Sequence, residues 1–199
     1  MPITYAGITP ALLIDTTDLQ NTEKLSRQQG KLVKNRNGVC MAMVVDWLQK
    51  SQQQPGGVTD KSQLKSGLAL SLAQTAYMRY VFQKGTGQTA NKEGYVQNMG
   101  MSIENSANLN KKFFSTKKGR LKDLALACTF GGHVLISIKG NGGHALGYRQ
   151  IGGTSQFFDP NEGVLVFNTV QDFAKWFPAY IVGEYPDLTD TLEYARVEN

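Results

Sequence analysis

Between residues 131 and 167 the chain reads GGHVLISIKGNGGHALGYRQIGGTSQFFDPNEGVLVF, four short β-rich runs separated by glycine-rich turns. Runs of β-branched and aromatic residues cut this closely by Gly-Gly pairs read as an antiparallel meander. The strands expected are 133–139, 144–151, 154–160 and 163–167. The first half has a different texture. Cys40, Met43, Val44, Trp47 and Leu48 fall at i, i+3, i+4, i+7 and i+8, so 39–54 reads as a helix with one buried stripe, stopped by Pro-Gly-Gly at 55–57. A second helix is expected over 60–84, with Asp60 and Gln63 as a loose capping box. Residues 85–100 read as a loop, and 102–112 and 119–128 as short helices. Residues 17–31 are weakly helical within a turn-rich opening segment. After the meander come a helix over 169–177, with Thr169 as N-cap and Pro178 beyond its end, and a last strand within 188–198. Helices followed by an antiparallel sheet make an α+β class.

The 199 residues are expected to form one domain, and 41% hydrophobic residues suffice for a core without staples. No apolar run approaches the roughly 18–20 residues that a membrane span needs. The opening residues lack a basic segment followed by a long apolar one, so no cleavable signal peptide is expected. Two cysteines, Cys40 and Cys128, make neither a disulfide framework nor a zinc site, and the simpler reading is a reduced protein without a metal or cofactor. The net charge is +5, with the surplus gathered at Lys111, Lys112, Lys117, Lys118, Arg120 and Lys122. Such a block either solvates a helix start or attracts phosphates and anionic membrane faces. No nucleic-acid-binding signature accompanies it.

Chemistry points to Cys40 first. It sits in the first turn of its helix, where unpaired N–H groups and the positive end of the dipole favour a thiolate. Its place at the head of an apolar stripe equally suits a core residue. Cys128, near a helix C-terminus after Leu-Ala-Leu-Ala, reads as core. The chain has two histidines. If Gly152-Gly153 is a two-residue turn, Ile151 faces Thr154 and the pairing runs out to Leu146 opposite Asp159. His144 then lies two residues along on the same face, within reach of that carboxylate. A three-residue loop would turn Asp159 to the other face. His133 falls near Gln150, about 20 Å from His144 at roughly 3.3 Å per residue, and reads as structural. Asp159 before Pro160 is also a turn initiator, a duty compatible with aiming its carboxylate at a histidine.

The order of a Cys at a helix start, a later His on a strand and an Asp on the next is carried by NRNGVCMAMVVDWL at 35–48, GGHALGY at 142–148 and FFDPNEG at 157–163. With these motifs the chain resembles the papain-like cysteine proteases of the YopT/AvrPphB type, a bacterial effector family. The resemblance runs from about Asn35 to Phe177 and implies a papain-like domain over 35–199, with 1–34 as an N-terminal extension. It implies Cys40 as nucleophile, His144 as general base and then acid, and Asp159 as its orienter. Asn35 matches the position of the oxyanion-hole side chain, Asn37 competes for it, and Lys34 stands where papain itself offers Gln. It further implies a protein substrate and export, by a specialised bacterial route without a cleavable signal peptide, into the cytoplasm of a target cell. Two other functions stay open. The same three residues run deamidation or transamidation as readily as hydrolysis, and a binding module could keep the fold without the activity.

Overall fold

The computed structural model describes residues 2–21, 25–28, 31–34, 38–83, 88–109 and 117–198. Its centre is a seven-stranded, wholly antiparallel sheet. The strands are β1 (Ala11–Asp15), β4 (Ser102–Leu109), β5 (Gly132–Gly140), β6 (Gly142–Ile151), β7 (Thr154–Asp159), β8 (Gly163–Phe167) and β9 (Thr191–Glu198), in the spatial order β1-β8-β7-β6-β5-β9-β4. A separate hairpin joins β2 (Leu25–Gln28) to β3 (Lys31–Lys34). The meander is the sheet's middle, as its turn chemistry requires. Both outer strands, β1 and β4, precede the meander in the chain.

Period-two alternation along these strands gives the sheet two apolar faces, and each has its own helical layer. On one face α2 (Cys40–Gln53), α3 (Gly67–Gln83) and α4 (Gln88–Asn98) pack around Trp47, Leu48, Leu70 and Tyr95 against Leu135, Ala145 and Phe158. On the other, α5 (Lys117–Cys128) and α6 (Val170–Glu184) cover Ile136, Leu146, Tyr148, Phe157 and Phe167 with Leu121, Phe173, Trp176 and Phe177. A first short helix, α1, spans Thr17–Asn21.

The 39–54 helix stands as expected. It lies close on β6 because Gly147 presents no side chain: a Cβ there would sit 2.8 Å from the Trp47 ring. Asp60 and Gln63 do form a capping box, but it closes a single 3₁₀ turn at Lys61–Gln63, and α3 starts only at Gly67. Residues 85–100, read as a loop, contain α4, whose Tyr95 and Val96 are fully buried. Residues 102–112, read as a helix, contribute β4, which takes up the outer side of β9. Pairing with an edge that the rest of the sheet supplies outweighs a weak local preference.

The helix expected at 169–177 keeps its Thr169 cap, whose Oγ1 accepts the Asp172 N–H at 3.1 Å, but it runs through Pro178 to Glu184. An interior proline costs about 3 kcal/mol. Beyond it, Tyr180 and Ile181 are wholly buried, and each such side chain returns about 1.5–3 kcal/mol. Burial wins, and the extra length matters to the site below.

Candidate active site

The two-residue turn assumed for residues 152–153 is the one that forms. Ile151 pairs with Thr154 and the register holds to Gly147 opposite Phe158. That parity places His144 and Asp159 on the α6 face of the sheet, and His144 Nε2 lies 2.8 Å from Asp159 Oδ1. Cys40 opens α2 on the opposite face and meets the imidazole over the beginning of β6. Its thiol hydrogen-bonds to His144 and accepts the backbone N–H groups of Ala145 and Met41. With Nε2 held by the carboxylate, Nδ1 is the ring nitrogen left for sulfur. Sequence reasoning nominated Cys40, His144 and Asp159, and the fold brings all three together. Asn35 and Asn37 lie outside the described residues.

Asp159 is sealed from solvent and richly supplied with donors. Oδ1 also takes the Asn161 N–H at 2.8 Å, while Oδ2 takes the hydroxyls of Tyr180 at 2.6 Å and Tyr185 at 2.7 Å. The Asp-Pro-Asn turn and the aiming of the carboxylate are therefore one structure. Burial pushes the carboxyl up, but the charge and hydrogen bond of His144, with the two tyrosine hydroxyls, hold it below the ordinary carboxylate range. Tyr185 also stacks on the imidazole, with centroids 4.8 Å apart and planes at 22°, and Asn161 Nδ2 donates to its hydroxyl at 2.9 Å. These tyrosines were missed because the helix was stopped at Pro178. Phe173, Trp176, Phe177, Tyr180 and Ile181 continue one helical stripe straight through the proline, and that stripe was the available signal.

Electrostatics couple the thiol to the ring. Burial pushes the Cys40 thiol up, and the hydrogen bond and charge of His144, with the two backbone N–H groups, more than offset it, leaving the thiol below its ordinary value. Burial pulls the imidazolium down, and the carboxylate of Asp159 together with the Cys40 sulfur pushes it up to about 10. Both shifts favour a thiolate beside an imidazolium. Cys128 is the opposite case: fully buried, its thiol is pushed far up by desolvation. His133 pairs across strands with Arg149, away from this site, and burial and the Arg149 charge lower it to about 4.

An open cleft of about 610 Å³ adjoins Cys40 and His144, walled by Gln74 and Tyr77 of α3, Lys139 of β5 and the Gly142-Gly143 start of β6. Lys139 of that wall ion-pairs with Glu193 at 3.3 Å, and Glu193 also pairs with the buried Lys92. Of the basic block, Lys111 and Lys112 lie outside the described residues, while Lys117, Lys118, Arg120 and Lys122 belong to α5. No helix among the described residues is long and apolar enough to cross a membrane.

A model of the peptidase C58 family, described as the Yersinia/Haemophilus virulence surface antigen, matches residues 17–187. The fold is similar to the crystal structure of the Pseudomonas avirulence protein AvrPphB, with a TM-score of 0.63 and 16% identity over 83% of this chain and 94% of that one. PatoxP, a cysteine protease-like domain of the Photorhabdus asymbiotica toxin PaTox, is matched at a TM-score of 0.42 and 12% identity, over 92% of this chain and 55% of that one. No curated protein matches the chain in sequence. Since the family match takes in most of the chain, and Cys40, His144 and Asp159 with it, the chain belongs to the cysteine-peptidase-like virulence proteins of the peptidase C58 family.

Proposed function

We propose that the protein is a cysteine endopeptidase that cuts a specific protein in a target cell, with Cys40 as nucleophile. The observation carrying this reading is the continuous hydrogen-bonded series from Cys40 through His144 to the buried Asp159, with Cys40 and His144 lining the cleft. The Cys40 thiolate adds to a peptide carbonyl carbon, and the carbonyl π pair moves onto oxygen. On collapse the C–N bond breaks and His144 gives its proton to the leaving amine. His144 then takes a proton from water, which attacks the thioester and frees the new C-terminus. Asp159 holds the ring with Nε2 toward itself and stabilises the imidazolium. The Cys40 backbone N–H and Asn35, the position implied by the resemblance, receive the oxyanion. Following the same resemblance, the protein is a bacterial effector acting inside a target cell; independently of it, the charge of the basic block suits contact with an anionic membrane face.

The test is incubation with a lysate of target cells, reading new N-termini by mass spectrometry beside Cys40→Ala. Wild type should create a small set of new N-termini that the variant, slowed on the order of 10⁶-fold, does not. Ammonia release from glutamine side chains without new N-termini would replace hydrolysis of peptide bonds by deamidation.

A further inference from the structure

Gln74 of α3 is a polar side chain only 2% exposed, and it lines the cleft beside Cys40. Its Oε1 accepts the Ala42 N–H at 3.1 Å. A backbone N–H can only donate, so this bond fixes the carboxamide: oxygen toward the start of α2, nitrogen on the other branch. Among the described residues no acceptor takes the Nε2 hydrogens, and Nε2 is not among the unpartnered atoms sealed from solvent. Its hydrogens therefore open onto the cleft.

The first turn of α2 shows where an acceptor would be wanted. The Met41 N–H goes to the Cys40 sulfur, the Ala42 N–H to Gln74, and the Met43 N–H to the Val39 carbonyl. The Cys40 N–H, at the helix's first residue, has no acceptor among the described residues. Two fixed donors, one from backbone and one from a buried side chain, thus stand unused beside the thiol at the positive end of a helix.

We infer that Gln74 is a catalytic residue whose Nε2 donates to the oxyanion of the acyl-transfer step, alongside the Cys40 N–H. The inference rests on the reading of Cys40 as nucleophile. When sulfur adds to the carbonyl carbon the oxygen takes the π pair, and the Gln74 amide binds that charge where it forms. The anchoring bond to Ala42 holds the donor in place before substrate arrives, so little reorganisation accompanies the reaction. Asn35 and Gln74 are separable contributors, since one precedes α2 in the chain and the other reaches it from α3.

The experiment compares two reactions of Cys40 that differ in whether an oxyanion forms. Acylation by p-nitrophenyl acetate passes through one, and p-nitrophenolate leaves with the bond pair; displacement of iodide from iodoacetamide forms none. Gln74→Glu keeps an acceptor for the Ala42 N–H while deleting the donor. It should slow acylation roughly 100–1,000-fold and leave alkylation unchanged at a pH where the thiolate is fully formed. Gln74→Leu, checked for an intact melting transition, should do the same. Acylation that persists in both variants, or acylation and alkylation falling in parallel, would overturn the inference and make Gln74 a prop for the helix. A parent protein whose Cys40 reacts with neither reagent faster than an ordinary thiol would instead sink the reading of Cys40 itself, and this inference with it.

Discussion

Asp159→Asn is expected to lower kcat/KM for peptide hydrolysis by roughly 10³–10⁴-fold while the protein still folds. The carboxylate is fully buried and accepts from His144, Asn161, Tyr180 and Tyr185. An amide in its place keeps the volume but offers only one acceptor oxygen, and it cannot stabilise an imidazolium by charge. The pH profile carries the sign. In the parent protein the window opens as Cys40 ionises, below the ordinary thiol value of 9.0, and closes as His144 loses its proton at about 10. Removing the Asp159 charge withdraws the largest influence holding the imidazolium up, so the alkaline limb should move down toward the ordinary 6.5 or below. Stability follows the same linkage: the raised imidazolium contributes fully below pH 6.5, and that contribution is lost as pH rises through about 10. A variant with reduced activity but an unmoved alkaline limb would mean that Asp159 does not govern the histidine.

Gly163→Ala should be the most destabilising single methyl addition near the site. Gly163 ends the turn that begins at Asp159, and the two residues are cross-strand partners. Its φ is +132°, and a Cβ there would sit 1.9 Å from the Ile14 carbonyl oxygen of β1. The backbone conformation alone disfavours a side chain by about 1–3 kcal/mol, and overpacking adds about 1–3 kcal/mol. At roughly 2–4 °C per kcal/mol for a chain of this size, the melting temperature should fall by about 5–20 °C. Relief can come only by moving β1 off β8, so amide exchange should accelerate over residues 11–15. Gly153→Ala is the control, since nothing lies within 4 Å of its Cβ position. Equal melting temperatures for the two variants would contradict the close approach of β1.

What could be read from sequence followed from where the period was unambiguous. Read as a two-residue turn, Gly152-Gly153 sets a register in which period two puts His144 and Asp159 on one face, so that pair was legible on the one condition that the turn had no third residue. The stripe from Cys40 to Leu48 fixed α2 in the same way. Residues 88–98 and 102–109 carry no comparable signal. The polar sequence of α4 is held by burial of Tyr95 and Val96 and by the ion pair of Lys92 with Glu193, a partner far along the chain. β4 exists because β9 offers an edge. Pro178 was read locally as a stop, while the aromatic stripe across it depends on a sheet face that only the folded chain supplies. The two tyrosines on Asp159 were lost with that single misreading. The role of Gln74 has no sequence signal at all, since α3 meets the start of α2 only through tertiary packing.

The most direct measurement is the pH dependence of alkylation at Cys40 and Cys128 in the native protein, read by mass spectrometry, with His144→Ala alongside. An ion-paired Cys40 should label rapidly at pH 6, slow sharply in His144→Ala, and leave the buried Cys128 untouched until the protein unfolds. Labelling of Cys40 that waits for the ordinary thiol range near pH 9, or that is indifferent to His144, would contradict a thiolate–imidazolium nucleophile and the protease built upon it.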